Sequence, residues 1–219
     1  IIDDSDMITF KHHVNWQDNK YMLRSNFNLD IKSDFAVSDI QFGKIRRTRK
    51  NKTLEEIAQY EICAQQYVDI YDKTMGAALI NKTKCGYYIK NKDLELNLLR
   101  STNHPCVNGD IGETSYEYAL YLHLGNDNKA EVDKVAYIFN SDFLMSSRKI
   151  KLLETFDMKN DDLEYSCLKN KYKGEGIIIR IYERNGRKTK LDLTKTSLKD
   201  KKVSLVNFIE EVIKEDITN

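Results

Sequence analysis

Four histidines, four cysteines and a large stock of carboxylates are the groups from which this chain could build chemistry. A catalytic zinc needs His, Cys or carboxylate ligands converging on one point. His12 and His13 are adjacent, and neighbouring side chains on a strand point to opposite faces, so the two do not suit one metal. His104 stands beside Pro105 in a loop-like stretch and His123 closes a strand-like one, which reads as surface or hydrogen-bonding duty. Cys63, Cys85, Cys106 and Cys167 are scattered, without C-x-x-C spacing, and are expected as reduced thiols. A nucleophile elbow would read G-x-S-x-G and a phosphate cradle G-x-x-x-x-G-K, and neither pattern occurs. Glycoside cleavage needs two carboxyl groups about 5–10 Å apart. No pair identifies itself from order along the chain.

The densest basic run is Arg46-Arg47-Thr48-Arg49-Lys50-Asn51-Lys52. The 219 residues carry 35 Lys+Arg against 34 Asp+Glu, a net charge of +1. Nucleic-acid binders are basic and clustered, so this balance argues against one, and the run is expected as a solvated strand end and loop. The 13 tyrosines and Trp16 offer stacking faces, but filling a core is the expected use. Asn51-Lys52-Thr53 and Asn81-Lys82-Thr83 match the glycosylation pattern and are expected as chance matches. A membrane helix needs about 20 apolar residues, and stretches such as Gly76–Ile80 fall far short. The acidic start, Ile1-Ile2-Asp3-Asp4, does not read as a signal peptide, and opening on Ile1 leads us to expect a piece of a longer, cytoplasmic polypeptide.

The elements that must position these groups look β-rich. One proline and 9 glycines leave Asn and Asp to make the turns, as at Asn91-Lys92-Asp93, Asn126-Asp127-Asn128, Asn160-Asp161-Asp162 and Asn185-Gly186. Tyr87–Lys90 and Leu94–Leu99 flank the first of these, and the second arm alternates apolar and polar as a half-buried strand does. Tyr116–Leu122, Ile177–Glu183 and Val203–Phe208 are further strand candidates, and Asn185-Gly186 predicts a hairpin with Thr189–Leu193 as the return arm. Thr53-Leu54-Glu55-Glu56 has the form of a capping box, and Val132, Val135, Ala136 and Phe139 recur at helical spacing. Short strands at this spacing predict an all-β sandwich with one or two short helices, with a boundary near Ser146–Lys149.

Several phrases, taken in order, carry a resemblance. They are Val14-Asn15-Trp16, Tyr21–Phe27, Ile40-Gln41-Phe42-Gly43 with Arg46 and Arg47, Glu61, Gln65–Ile70, and Gly76–Asn81 with Lys84 and Gly86. Leu98–Ser101, Asp110-Ile111-Gly112 and Tyr118–His123 follow, then Leu168-Lys169 and Gly176–Gly186. This series resembles the C-terminal β region of glycoside hydrolase family 38, the retaining α-mannosidases, over about Val14 to Phe208. Tyr67 stands where the family usually has Trp, Leu122 where it has Pro, and Thr114 where His is common.

The resemblance implies a large, galactose-mutarotase-like supersandwich over 1–150 and a small terminal β-sandwich over 151–219. Family members hold the sugar with zinc and attack it with an Asp, both in an N-terminal catalytic region. The expectation is therefore a structural lobe that packs on such a region of the same polypeptide, with no metal or catalytic residue of its own. Zinc and the α-mannoside would belong to the parent. A loop of the lobe approaches the substrate in related enzymes, and Arg100 through Glu113 is the positional candidate, with Arg100 and Asp110 as sugar-binding groups or as fasteners of the loop. Neither nucleic acid nor membrane is an expected partner, and self-association stays open. Two rival readings are an independent carbohydrate-binding module and an epimerase-type sandwich using His104, His123, Glu113 and Glu117.

Overall fold

In the computed structural model, residues 6–141, 158 and 160–217 are described. In chain order the elements are β1 (Met7–Trp16), β2 (Leu23–Asn28), β3 (Phe35–Ile40), β4 (Gly43–Thr48), α1 (Leu54–Ala58), β5 (Ile62–Cys63), β6 (Tyr67–Tyr71) and β7 (Met75–Asn81). They continue with β8 (Gly86–Tyr88), β9 (Asp93–Leu99), β10 (Gly112–Leu124), α2 (Val132–Asn140), β11 (Leu163–Asn170), β12 (Ile177–Glu183), β13 (Leu205–Val206) and β14 (Val212–Lys214). The chain is all-β in class, with α1 and α2 as its α-helices among the described residues. It divides into two compact units, Ile1–Gln41 with Ile45–Phe143, and Phe42–Lys44 with Leu144–Asn219. The boundary expected at Ser146–Lys149 lies outside the described residues.

In the first unit a six-stranded sheet, β1-β10-β7-β6-β3-β4, faces a four-stranded one, β2-β9-β8-β5. The alternation of β9 does what it predicts: Leu94, Leu96 and Leu98 are buried while Glu95 and Asn97 are half-exposed. These leucines meet Val68, Ile70, Leu79, Tyr118 and Leu120 of the facing sheet in one core. Each such side chain contributes about 1.5–3 kcal/mol by leaving water. The run Gly76–Asn81 of β7 does not alternate and is buried throughout. Its second face is covered by α2, where Val132 and Ala136 pack on Tyr67, Ala78 and Ile80. A strand covered on both faces reads as a continuous apolar run.

Turn chemistry follows the Asn and Asp content. Asn91, at φ 55, takes the left-handed backbone between β8 and β9. The Asp72 carboxylate closes the β6–β7 turn, accepting Thr74 N–H at 2.8 Å, Thr74 O–H at 2.7 Å and Met75 N–H at 3.1 Å. The capping box of α1 is present, with Thr53 accepting from Glu56 N–H at 3.2 Å and Glu56 accepting in return from Thr53 N–H at 3.2 Å.

The basic run departs from expectation at one residue. Arg49 is buried, and its guanidinium donates to the carbonyls of Ile89 at 3.0 Å, Ser33 at 3.0 Å and Ile31 at 3.4 Å, and to that of Asn91. Lys90 is buried beside it and donates to the carbonyls of Thr48, Lys50 and Glu56 at 3.3, 3.1 and 3.0 Å. The two cations gather carbonyls from the segments that flank β3, β4, α1 and β8, which a solvated loop would not require.

In the second unit β12 pairs with β11, and β13 with β14. The hairpin expected across Asn185-Gly186 does not form. Gly186 is left-handed, at φ 71, but Asn185 is not, and a type I′ turn needs both central residues there. The side chain of Asn185 instead donates to Asp162 at 2.7 Å, and Thr189 and Lys190 accept from Asn160 at 2.8 and 3.0 Å. The strand expected over Val203–Phe208 shortens to β13.

Candidate functional site

Residues 100–111 form the long connection from β9 to β10. Ser101 is its buried root: its hydroxyl accepts from the Trp16 indole and its carbonyl from Lys20 N–H at 2.9 Å. The far end is tied back by Asp110, whose carboxylate accepts Arg100 N–H at 2.6 Å while its own backbone is left-handed at φ 62. The Arg100 side chain makes no hydrogen bond or ion pair to any described residue and stands exposed. Arg100 and Asp110 are thus brought together, but through backbone and carboxylate rather than through an Arg–Asp ion pair. The loop holds a free guanidinium at a pinned root, an arrangement suited to grip a hydroxyl-rich or anionic group.

The histidines scatter. His104 is exposed in this loop. His12 and His13 take opposite faces of β1: His12 stacks on Tyr116 with ring centres 5.0 Å apart, while His13 meets the Ser115 hydroxyl at 3.0 Å. His123 is buried, and its Nε2 lies 3.0 Å from Asp69 of β6. Burial, more than any neighbour, pushes the Asp69 carboxyl up from its ordinary range, and the hydrogen bond from His123 opposes that. Asp69 carried no local signal in the sequence. Only the antiparallel register, Asp69 against Ala78 and Gly76 against His123, brings the pair together across β7.

A zinc centre does not fit these donors: among the described residues no three His, Cys, Asp or Glu side chains converge. The epimerase constellation is likewise not assembled, because His123 is spent on Asp69 inside the sheet and His104 is in the exposed loop. Asn81 is buried, with its amide donating to Tyr87 at 2.6 Å, so its sequon offers no acceptor in the folded chain.

Comparison with known proteins decides the family. Residues 1–108 match the model of the glycosyl hydrolases family 38 C-terminal domain, and residues 163–219 that of the family 38 C-terminal beta sandwich domain. The chain belongs to glycoside hydrolase family 38, in its C-terminal region. Alpha-mannosidase G of Dictyostelium discoideum is 28% identical over 95% of this chain, and an alpha-mannosidase of Saccharomyces cerevisiae is 28% identical over 93%. The family 38 chain spans about 20% of the length of either relative. Among solved structures, a family 38 protein of Enterococcus faecalis superposes with a TM-score of 0.75 at 16% identity, over 97% of this chain and 26% of its own. An alpha-mannosidase of the same organism gives 0.70 over 84% of this chain and 22% of its own, also at 16% identity. These two likenesses concern the fold. No helix described here is long and apolar enough to cross a membrane.

Proposed function

We propose that this chain is the structural lobe of a retaining, zinc-dependent α-mannosidase and that its 100–113 loop is lent to the substrate cleft. The tandem match to two C-terminal domains of family 38 carries the reading. On it, an N-terminal catalytic region of the same polypeptide supplies zinc and the Asp nucleophile, and the α-mannoside binds there. The lobe contributes a rigid sandwich and one exposed cation. Asp110 fixes the loop root, so the Arg100 guanidinium is presented without having to leave an internal partner. A positioned donor of this kind gains affinity because little is ordered on binding. The setting proposed is cytoplasmic.

The experiment is an aryl α-mannoside assay on the 219-residue chain and on the full-length polypeptide that carries it. The chain alone is expected to be silent and the longer polypeptide active, with loss of activity on chelation and an α-anomer as first product. Arg100→Ala in the longer polypeptide is expected to raise KM about tenfold with the melting temperature unchanged, the size of a lost charged hydrogen bond. Hydrolysis by the isolated chain overturns the lobe reading. Unchanged KM overturns the loop's part in it.

A further inference from the structure

β5 closes one side of the four-stranded sheet and is a short strand, Ile62–Cys63, paired with β8. In that ladder Cys63 stands opposite Gly86, and one step further on Ala64 N–H donates to the carbonyl of Cys85 at 3.0 Å. Cys85 thus lies one place out of register with Cys63 on the adjacent segment. With about 4.8 Å between strands and about 3.3 Å per residue along one, this offset puts the two Cα atoms about 6 Å apart. Disulfide-bridged Cα atoms are found over about 4.4–6.8 Å. In regular strands such a stagger would send the side chains to opposite faces, but Cys85 precedes β8, which begins at Gly86, and is not held to strand alternation. Gly86 opposes Cys63 with no side chain of its own. Both cysteines are free and exposed.

The two thiols are close enough to act on each other. Burial raises the Cys63 thiol above its ordinary value, the neighbouring Cys85 thiol raises it further, and the Arg47 guanidinium opposes both. Exposed thiols beside a cation are the ones that exchange with small disulfides. We infer that Cys63 and Cys85 form a modification site, a dithiol that oxidised glutathione closes into a reversible bridge. One cysteine, as its thiolate, attacks a sulfur of oxidised glutathione, whose S–S bond breaks and releases one glutathione. The thiolate of the other cysteine then attacks the protein sulfur of the mixed disulfide, forming the Cys63–Cys85 bond and releasing the second glutathione. The protein thiols lose two electrons, one glutathione disulfide becomes two thiols, and the two protons pass through water to the leaving thiolates. An exposed bridge of this kind is labile and follows the thiol balance around it. Closed, it staples β5 to β8 across the segment that holds β6 and β7.

The test exposes the full-length polypeptide, under native conditions, to rising oxidised glutathione, blocks the remaining thiols and maps the tryptic peptides by mass spectrometry. The cysteines fall in separate peptides, 53–73, 85–90, 101–129 and 160–169, so Cys106 and Cys167 serve as internal references. Peptide 53–73 is expected joined to 85–90. The joined form should appear at an oxidised-glutathione level about a hundredfold below that which places glutathione on Cys106, because the partner thiol acts at high effective concentration. Dithiothreitol is expected to return both thiols. Cys63→Ser and Cys85→Ser should each leave the remaining cysteine of the pair carrying glutathione. In the oxidised form amide exchange at Ala64 should slow and the melting temperature should hold or rise, since the sheet already places the pair. Glutathione on both cysteines with no joined peptide, a joined peptide that needs as much oxidant as Cys106, or an oxidised form that melts several degrees lower would each overturn the assignment.

Discussion

Gly76 and His123 sit opposite each other in the β7–β10 ladder and share one volume: a Cβ on Gly76 would lie 2.2 Å from Cε1 of the imidazole. The ring fills the space that a side chain at 76 would take, and from there it reaches Asp69 on the next strand at 3.0 Å. The glycine is required for close approach of a side chain, since its own backbone needs no left-handed angle. Gly76→Ala must expel the ring and strand Asp69 in the interior. Breaking a buried pair costs about 3–5 kcal/mol, and a loss of at least about 3 kcal/mol in urea unfolding is expected. The double variant Gly76→Ala, His123→Ala should cost no more than His123→Ala alone, because the clash is gone. Additive losses would show that Gly76 serves some other contact.

Asp72 gives the fold an acid limb. Hydrogen bonds from Thr74 and Met75 hold its carboxyl down at about 2, below the ordinary 3.8. A depressed carboxyl binds its proton more weakly in the folded state than in the unfolded one. Its stabilisation is therefore full above about pH 4 and is lost as the pH falls toward 2. Asp72→Asn keeps an acceptor for the turn but has no charge. The variant is expected to be less stable than the parent at pH 7, with the gap closing between pH 4 and 2. Melting temperatures across that range check it, and a gap independent of pH would remove the carboxylate from the account.

Arg49 answers four carbonyls with one planar fork. Burial pushes its pKa down and the Asp93 carboxylate opposes that; a guanidinium keeps its proton in proteins, so the fork is charged. Lysine keeps the charge but presents a single nitrogen that cannot span the carbonyls of Ile31 and Ile89 together. Arg49→Lys is expected to cost about 2–4 kcal/mol, nearly as much as Arg49→Ala. Should the lysine variant melt like the parent, charge alone would be what this position supplies.

These three cases mark what the sequence carried and what it did not. The alternation of Leu94, Leu96 and Leu98, the Thr53–Glu56 cap and the apolar stripe of α2 are local patterns with local causes, and they stand in the fold as the residues predict. The His123–Asp69 pair and the Arg49 knot join residues 54 and up to 42 positions apart, and no short window contains both partners. Arg49 was hidden further by its company, since a run of cations reads as solvated until one finds carbonyls to satisfy. At Asn185-Gly186 the dipeptide signal was overridden by side-chain bonds to Asp162 and Glu183 that hold Asn185 out of the left-handed region. For the loop, position alone singled out Arg100 and Asp110. The carboxylate-to-backbone tie between them arises only once the loop folds back on its root.

That tie sets the last prediction. Asp110 does two things at once: its side chain accepts Arg100 N–H at 2.6 Å, and its backbone sits at φ 62. Substitutions separate the two. Asparagine keeps an acceptor and tolerates the left-handed region, glycine keeps only the backbone freedom, and alanine keeps neither. Amide exchange at Arg100 and along 101–111 should therefore speed up in the order Asn, Gly, Ala. Asp110→Ala should lower the local opening free energy by about 1–3 kcal/mol, while the amides of β7 keep their protection. The backbone share of that loss, the Gly-to-Ala step, is about 1 kcal/mol for a left-handed site. If glycine and alanine exchange alike, the angle is adopted only because the carboxylate holds it, and the loop is otherwise free to move.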